Sequence, residues 1–267
     1  GLVGSEMCIR DSTYTMSSGC SRTTIVTVNG SPTPIAGTLY LCEGLTTNLS
    51  SAPSGGTWFS SDVSVAVVSA SGVVTGVVAG TSTITYTLPT GCYRTADVTV
   101  NVNPPANTGT ANVCVASTTT LSNTITGGYW TSSNTSIATA GFSTGVITGV
   151  ASGVATITYT LTTGCKTTTA VTVNGLPSAI AGVTSLCIGG VGTLTDGTPG
   201  GVWSSFDPSI VTIGSGTGVM SGISSGTTTI SYTNGLGCSR VTTVTVNSLP
   251  SPITGTMGVC VEATTFL

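Results

Sequence analysis

The chain has 267 residues, of which 5% are charged, with a formal net charge of -3, 37 glycines and no histidine. The small negative charge disfavours nucleic acid as a partner, because surfaces that bind phosphates are basic. The lack of histidine removes the side chain that most often acts as a general base. The composition therefore predicts no catalytic residue, no cofactor and no metal site, and the chain is not expected to be an enzyme.

Cysteines recur in two series with a common period of about 73 residues. The first series is Cys20, Cys92, Cys165 and Cys238, and the second is Cys42, Cys114, Cys187 and Cys260. The aromatic residues keep the same period, as shown by Trp58, Trp130 and Trp203 and by Tyr86, Tyr159 and Tyr232. A period shared by several residue types predicts a tandem array of one small module, in which recurring features are architectural.

Residues 1–12 do not match this repeat. They contain Glu6, Arg10 and Asp11 in a chain with few charges, and Cys8 belongs to neither cysteine series. The string GLVGSEMCIRDS resembles translated sequencing-adaptor read-through, so we predict that residues 1–12 are an artefact and leave them out of the fold prediction. Residues 13–30 match the end of a repeat and predict the C-terminal part of a truncated module.

Alternating polar and apolar residues predict strands in every repeat. In the segment 83–88, Ile84, Tyr86 and Leu88 fall on one face and threonines on the other, which is typical of a strand with one buried side. Glycine-rich turns recur at short intervals, and no segment has a sustained helical period. Residues 63–80 are rich in valine, but small and polar residues interrupt the run, so we predict no membrane insertion. The sheets are expected to be antiparallel.

An Asn-x-x-Pro segment, which we call a joint, follows the last strand of each repeat. The joints begin at Asn29, Asn101, Asn174 and Asn247. Proline ends ladder pairing, so each joint predicts a boundary between modules. Neighbouring modules of the same chain are expected to be partners of one another. The complete modules are predicted at residues 31–103, 104–175 and 176–248, and residues 249–267 are predicted to start another truncated module.

The motifs between the joints resemble the bacterial Ig-like domain, group 2. In the first complete repeat they are Trp58-Phe-Ser-Ser-Asp62, Gly72-Val-Val-Thr-Gly76, Thr83-Ile84-Thr85 and Val98-Thr99-Val100, and the later repeats hold matching motifs in the same order. The resemblance covers nearly all of the chain from residue 13 onward. It implies an all-β fold of tandem Ig-like antiparallel β-sandwiches, of the kind that serves as spacers in bacterial surface and secreted proteins and sometimes carries adhesive tips.

The tryptophans and tyrosines are predicted to be core anchors. A single large aromatic residue at a fixed position in each copy suits the packing of two sheets, and this applies to Trp58, Trp130, Trp203, Tyr86, Tyr159 and Tyr232. A platform that stacks against carbohydrate is the alternative function for the tryptophans.

The cysteines allow more than one disulfide pairing. Closure within modules would join Cys42 to Cys92, Cys114 to Cys165 and Cys187 to Cys238, whereas the 22-residue spacing would bridge neighbouring modules. We favour closure, because such a bridge would stabilise a small domain by about 4 kcal/mol. In antibody-type domains the second cysteine follows the corner tyrosine by two residues, but Cys92 follows Tyr86 by six. This spacing could place Cys92 at the opposite end of the sandwich from Cys42. Zinc is the weaker alternative, because no Cys-x-x-Cys pair is present.

Three further features have ordinary structural explanations. Asp62, Asn134 and Asp207 follow the tryptophans by four residues, and we expect Asx-turns in preference to calcium ligands. The basic residues Arg22, Arg94, Lys166 and Arg240 are expected to guard solvated strand edges. The sequence Gly222-Ile-Ser-Ser-Gly226 spells a nucleophile elbow, but its counterparts in the other repeats hold no serine at the same position, so we expect a turn.

The sequence thus predicts a structural spacer or stalk in an exported bacterial surface or secreted protein, located outside the cell or on its surface. Cysteine pairs support export, because disulfides persist mainly in oxidising compartments. One alternative is an adhesin whose loops bind a cell-surface glycan or protein. Another is the accessory region of a large secreted enzyme.

Overall fold

A computed structural model describes residues 8–255, and all regular secondary structure in this part of the chain is β-strand. Within the described residues, no helix is long and apolar enough to cross a membrane. Cys260 and most of the truncated module predicted at residues 249–267 lie outside the described residues, as do residues 1–7 of the predicted artefact.

The chain begins with a hairpin of two antiparallel strands, β1 (Cys8–Thr15) and β2 (Ser21–Val28). Strand β1 starts within residues 1–12, so part of the predicted artefact pairs with β2, while its proposed origin stays a prediction. Three sets of strands follow, each spanning one sequence repeat.

The first strand set contains seven strands. They are β3 (Tyr40–Cys42), β4 (Thr46–Asn48), β5 (Thr57–Ser60), β6 (Ala66–Val68), β7 (Val73–Gly76), β8 (Gly80–Thr87) and β9 (Tyr93–Asn101). One sheet has the order β3-β9-β8-β5 and the other has the order β4-β7-β6. All pairs are antiparallel except β3 with β9, which run parallel over three residues.

The two sheets of the first set share one core. Leu41, Val98 and Val100 from the first sheet and Ala66 and Val74 from the second belong to the same cluster of buried side chains. Burial follows the alternation predicted for β8, because Ile84 and Tyr86 are buried while the threonines on either side of them are only half-buried. The first set is therefore a β-sandwich.

The third strand set repeats this architecture. Its strands are β18 (Ala181–Gly182), β19 (Ser185–Cys187), β20 (Val191–Thr195), β21 (Val202–Ser205), β22 (Val211–Ile213), β23 (Val219–Gly222), β24 (Gly226–Thr233) and β25 (Ser239–Asn247). The sheet orders are β19-β25-β24-β21 and β18-β20-β23-β22, with β19 and β25 parallel. Buried residues from both sheets again form one cluster.

The second strand set is divided between two compact units of the chain. Its strands are β10 (Thr108–Gly109), β11 (Asn112–Cys114), β12 (Thr118–Ser122), β13 (Tyr129–Ser132), β14 (Ala138–Ala140), β15 (Val146–Gly149), β16 (Gly153–Thr160) and β17 (Lys166–Asn174). Among the described residues, unit 1 comprises residues 8–108, 122–131 and 158–169, and unit 2 comprises residues 109–121, 132–157 and 170–255. The boundaries predicted at the joints stay predictions.

The prediction of an all-β fold with Ig-like β-sandwiches is confirmed. The expectation that the sheets are antiparallel needs one correction, because β3, β11 and β19 each form a short parallel pair with the last strand of their own set. These parallel pairs position the cysteines of the second series, because β3, β11 and β19 all end in one of them.

Candidate functional site: cysteines at the joints

The cysteines of the first series lie at the end of a tight turn between the last two strands of each set. In the first set, the backbone N–H of Leu88 donates to the carbonyl of Cys92, and Gly91 adopts a φ of 85° within the turn. The equivalent turns join Leu161 to Cys165 and Asn234 to Cys238, at 2.8 and 2.9 Å. We call these residues hairpin-turn cysteines.

The cysteines of the second series end the short parallel strands, and we call them strand-end cysteines. Cys42 lies opposite Asn101, Cys114 opposite Asn174 and Cys187 opposite Asn247. The backbone N–H after each cysteine donates to the asparagine carbonyl, at 3.1, 3.0 and 3.1 Å respectively. Each strand-end cysteine is thereby fixed beside the residue that begins a joint.

Two disulfides connect these two kinds of cysteine. Cys42 is bonded to Cys165, at a sequence separation of 123, and Cys114 is bonded to Cys238, at a separation of 124. The Cα–Cα distance is 5.7 Å in both, within the usual range for disulfides. Each bridge runs from a strand-end cysteine of one set to the hairpin-turn cysteine of the next.

The predicted pairing within modules is therefore wrong. Cys42 is not bonded to Cys92, Cys114 is not bonded to Cys165, and Cys187 is not bonded to Cys238. The reason is geometric: Cys92 precedes strand β9 while Cys42 lies beside its last residue, Asn101. A strand of nine residues is about 27 Å long, whereas a disulfide needs Cα atoms within about 7 Å.

Bridges between cysteines 22 residues apart do not form either among the described residues. Cys20 and Cys92 are both free, although they are the hairpin-turn cysteines that precede Cys42 and Cys114 by that spacing. The observed bridges instead join a strand-end cysteine to the hairpin-turn cysteine of the next set.

The joints that begin at Asn29, Asn101 and Asn174 each lie against a hairpin turn. The Sγ atom of Cys165 lies 3.9 Å from the carbonyl oxygen of Asn101, and that of Cys238 lies 3.8 Å from the carbonyl oxygen of Asn174. The unbridged Cys92 has the same position, with Sγ 3.7 Å from the carbonyl oxygen of Asn29. The contact between turn and joint is therefore present with or without a bridge.

Arginines hold the joint as well. The Nε of Arg94 donates to the carbonyl of Pro32 at 3.2 Å, and the Nε of Arg240 donates to the carbonyl of Pro177 at 2.7 Å. Sequence reasoning assigned these arginines to edge protection and missed this role. The available signal was the recurrence of an arginine two residues after the cysteine together with the proline of the joint.

The aromatic residues predicted as core anchors pair with one another in each set. The ring centroids are 4.6 Å apart for Trp58 and Tyr86, 4.6 Å for Trp130 and Tyr159, and 4.7 Å for Trp203 and Tyr232. Trp130 and Trp203 are buried, while Trp58 is half-buried.

The tyrosine hydroxyls are fully used inside the sandwich. The Tyr86 hydroxyl accepts from the N–H of Gly56 at 2.9 Å and donates to the carbonyl of Pro53 at 2.8 Å. Tyr159 makes the same pair of bonds with Gly128 and Ile125. A buried hydroxyl with two partners pins the loop that leads into the tryptophan strand.

The Asx-turns after the tryptophans are confirmed. Oδ1 of Asp62 accepts from the N–H of Ser64 at 2.9 Å and from its hydroxyl at 2.6 Å. Asp207 makes the same two bonds with Ser209, and Asn134 accepts from the N–H of Ser136. Among the residues that the structure describes, no group of three or more His, Cys, Asp or Glu side chains could hold a metal ion.

Replacing Ser64 by alanine should raise the pKa of Asp62. The Ser64 hydroxyl, followed by the Ser64 N–H, holds the pKa of this carboxyl below its ordinary value. A lowered folded-state pKa stabilises the fold above the unfolded-state value, and this contribution is lost as the pH falls through the folded-state value. Carboxyl NMR titration should show the pKa rising for Asp62 in Ser64→Ala. Asp207, whose pKa is lowered by Ser209, should not move in that variant, and a shift there would contradict a local cause.

Comparisons with known proteins give similarity to solved structures only. No protein-family model and no curated protein matches the chain. A fragment of intimin in complex with the translocated intimin receptor is 16% identical, with a TM-score of 0.37, over 54% of this chain and 64% of that chain. Invasin, a bacterial integrin-binding protein, is 14% identical, with a TM-score of 0.35, over 91% of this chain and 65% of that chain.

A surface layer protein, SbsC domains 1–6, is 16% identical, with a TM-score of 0.26, over 94% of this chain and 46% of that chain. The chain thus spans less than two thirds of each of these three structures.

Proposed function

We propose that the chain is a spacer array from an exported bacterial surface or secreted protein, built from modules of the bacterial Ig-like group 2 type with the boundaries predicted from the joints. The observation that carries this proposal is the pair of disulfides Cys42–Cys165 and Cys114–Cys238. A bridge inside a module would stabilise that module alone. A bridge across a joint limits how far two consecutive modules can move against each other, which suits a protein that holds another domain at a distance.

Hydrogen bonds at the joints support the same role. The arginine bonds to Pro32 and Pro177 tie the joint backbone to the hairpin of the following set. Proline adds its own restriction, because its ring fixes the φ angle. The joint from Asn174 to Pro177 is therefore restrained by backbone geometry, by the Arg240 hydrogen bond and by the Cys114–Cys238 bridge. The joint after Asn29 has the arginine bond beside the free Cys92, and the joint after Asn101 has a bridge without an arginine bond. Neighbouring modules are the main partners of each module.

The disulfides also support a location outside the cell. Bonds of this kind form and persist in oxidising compartments. A sparsely charged surface rich in threonine is compatible with an extracellular spacer, because threonine favours strands and keeps the outer face of a sheet hydrated. A cell-surface glycan or protein as ligand stays a prediction.

Deleting residues 104–175 should shorten the protein without removing any binding activity. Each sandwich has strands of up to nine residues, so one module should contribute roughly 30–40 Å of length. Small-angle X-ray scattering should show the maximum dimension falling by about that amount. An unchanged maximum dimension would contradict the spacer proposal.

Binding assays on the same two proteins separate a spacer from an adhesin. The spacer proposal expects neither the full chain nor the deletion variant to bind specifically to glycan or receptor-protein arrays. Specific binding that Phe206→Ala abolishes would favour the adhesin, because Phe206 is the most exposed of the large apolar side chains in the described part of the chain, at 89%.

A further inference from the structure

Cys187 and Cys92 are free thiols at positions where other repeats carry disulfides. We propose that they are unpaired members of one disulfide series, so that Cys187 bonds to the hairpin-turn cysteine of a following module and Cys92 to the strand-end cysteine of a preceding one. The partner in both cases is another copy of this Ig-like repeat. The inference depends on the geometry around the cysteines and not on the spacer function.

The backbone around Cys187 already has the form found at the two bridged strand-end cysteines. The N–H of Ile188 donates to Asn247 at 3.1 Å, as the N–H of Glu43 donates to Asn101 at 3.1 Å in the bridged first set. Gly189 has a φ of 77°, equal to that of Gly44, so the turn after the cysteine is the same. Cys187 is therefore held in the geometry that accepts a bridge, and its side chain is exposed.

Asn247 shares the features of the joint residues that contact a hairpin turn. Its side-chain amide donates to the carbonyl of Leu186 at 3.2 Å, as Asn101 donates to Leu41 at 3.4 Å. In the bridged joint, the Asn101 carbonyl lies under the hairpin-turn Cys165. A module following Asn247 by the same joint would place its hairpin-turn cysteine over Cys187.

Cys92 presents the complementary half of the same arrangement. Its Sγ lies 3.7 Å from the carbonyl of Asn29, whereas the bridged Cys165 and Cys238 lie 3.9 and 3.8 Å from the equivalent carbonyls. Cys165 and Cys238 are each 1% exposed, while Cys92 is half-buried. A strand pairing in parallel with the end of β2 would place a strand-end cysteine beside Cys92.

The exposed apolar face of the hairpin β1–β2 also indicates another copy of the repeat as the partner. Tyr14 is 74% exposed and Val28 is 52% exposed, whereas their counterparts Tyr86 and Val100 are 3% and 2% exposed inside the first sandwich. The strands that would cover this apolar face in a complete module include the parallel strand that ends in a cysteine. One partner would thus both bury the face and supply the thiol for Cys92.

Bridge formation is a two-electron oxidation of two thiols by a low-molecular-weight disulfide. The Cys187 thiolate attacks one sulfur of that disulfide and releases one small thiolate. The hairpin-turn thiolate of the partner module then attacks the Cys187 sulfur of the mixed disulfide and releases the second small thiolate. The protein gains one S–S bond and loses two thiol protons, while the small disulfide is reduced to two thiols.

Extending the chain tests the proposal. Leu267 aligns with Leu194, so a second copy of residues 195–248 added after Leu267 completes a module that follows Asn247. The extended chain is folded in a buffer of reduced and oxidised glutathione, its free thiols are alkylated, and the peptides are mapped without reduction. Cys187 should be found bonded to the added copy of Cys238, with the two existing bridges retained and alkylation of Cys187 reduced by about tenfold or more.

A matched control carries Cys238→Ser in the added copy only, and in this protein Cys187 should be alkylated as in the original chain. The proposal is overturned if Cys187 stays free in the extended chain, or if the added cysteine bonds to Cys260 and so closes its own module.

Deletion of residues 104–175 gives a test that does not require an added module. It removes Cys114 and Cys165 and places the strand-end Cys42 one set before Cys238. The same rule then predicts a bond between Cys42 and Cys238, which do not bond in the original chain. Absence of that bond in the deletion variant would also overturn the proposal.

Discussion

Pulling the oxidised chain by its two ends should extend it about 500 Å less than pulling the reduced chain. The loops closed by Cys42–Cys165 and Cys114–Cys238 overlap in sequence, because Cys114 lies between Cys42 and Cys165. The shortest covalent path from Cys42 to Cys238 then crosses both bridges and only roughly 50 residues, against roughly 200 residues without them. The bridges therefore keep roughly 145 residues out of the stretched path, which corresponds to about 500 Å at about 3.3–3.6 Å per extended residue.

Single-molecule force spectroscopy with and without a reductant measures this difference directly. The double variant Cys114→Ser, Cys238→Ser is the matched control, since it leaves one loop of 123 residues and should withhold about 400 Å. If the bridges were instead closed within modules, the same double variant would keep only a Cys42–Cys92 bridge around a loop of roughly 50 residues, and reducing it would release only about 170 Å. A change of that smaller size would contradict the observed pairing.

The same bridges should also contribute to equilibrium stability. On the chain-entropy estimate, a loop of 123 residues is worth about 5 kcal/mol. The second bridge should contribute less than its separate value, because the first already restricts much of the same unfolded chain. Overlap therefore reduces what the second bridge adds to stability, and likewise to the length withheld, which rises only from about 400 Å to about 500 Å.

The strands could be predicted from sequence because their signals are local. Alternation in residues 83–88 places Ile84 and Tyr86 on one face, and both side chains are buried. The glycine of each hairpin turn is equally local, as shown by Gly91 and its positive φ. The joints were visible because proline interrupts pairing wherever it falls.

The disulfide pairing could not be read from spacing because both cysteine series have the same period. Every choice of partner repeats along the chain, so the period cannot distinguish a bridge within a set from one to the next set. The deciding fact is the length of β9, which separates Cys92 from Asn101 and hence from Cys42. The six-residue spacing from Tyr86 to Cys92 contained this information, since it carries Cys92 beyond the strand that holds the tyrosine.

The three tryptophans lie in matching motifs but differ in the exposure of their side chains. Trp130 and Trp203 are 5% and 6% exposed, but Trp58 is half-buried despite the same strand position and the same tyrosine partner. A repeat pattern therefore predicts where a side chain points better than how completely it is covered.

Replacing Trp203 by alanine should destabilise the third sandwich by about 3–5 kcal/mol, the usual cost of removing a buried tryptophan. Trp203 belongs to the core cluster of this set, and its ring lies against Tyr232. Gly218, with a φ of 69°, lies directly against the indole, because a Cβ added there would be 3.1 Å from Nε1, so removing the ring leaves space beside this backbone. Hydrogen exchange of the amides in β24 and β25 should accelerate correspondingly.

Phe206→Ala is the matched control for Trp203→Ala, because it removes an aromatic ring that is 89% exposed just after the same strand. Its effect on the free energy of unfolding should stay within about 0.5 kcal/mol. Trp58→Ala should fall between the two, since the Trp58 side chain is only half-buried. If Trp203→Ala left exchange in β24 and β25 unchanged and instead abolished binding to a glycan, Trp203 would be a stacking platform and the core-anchor prediction would be wrong.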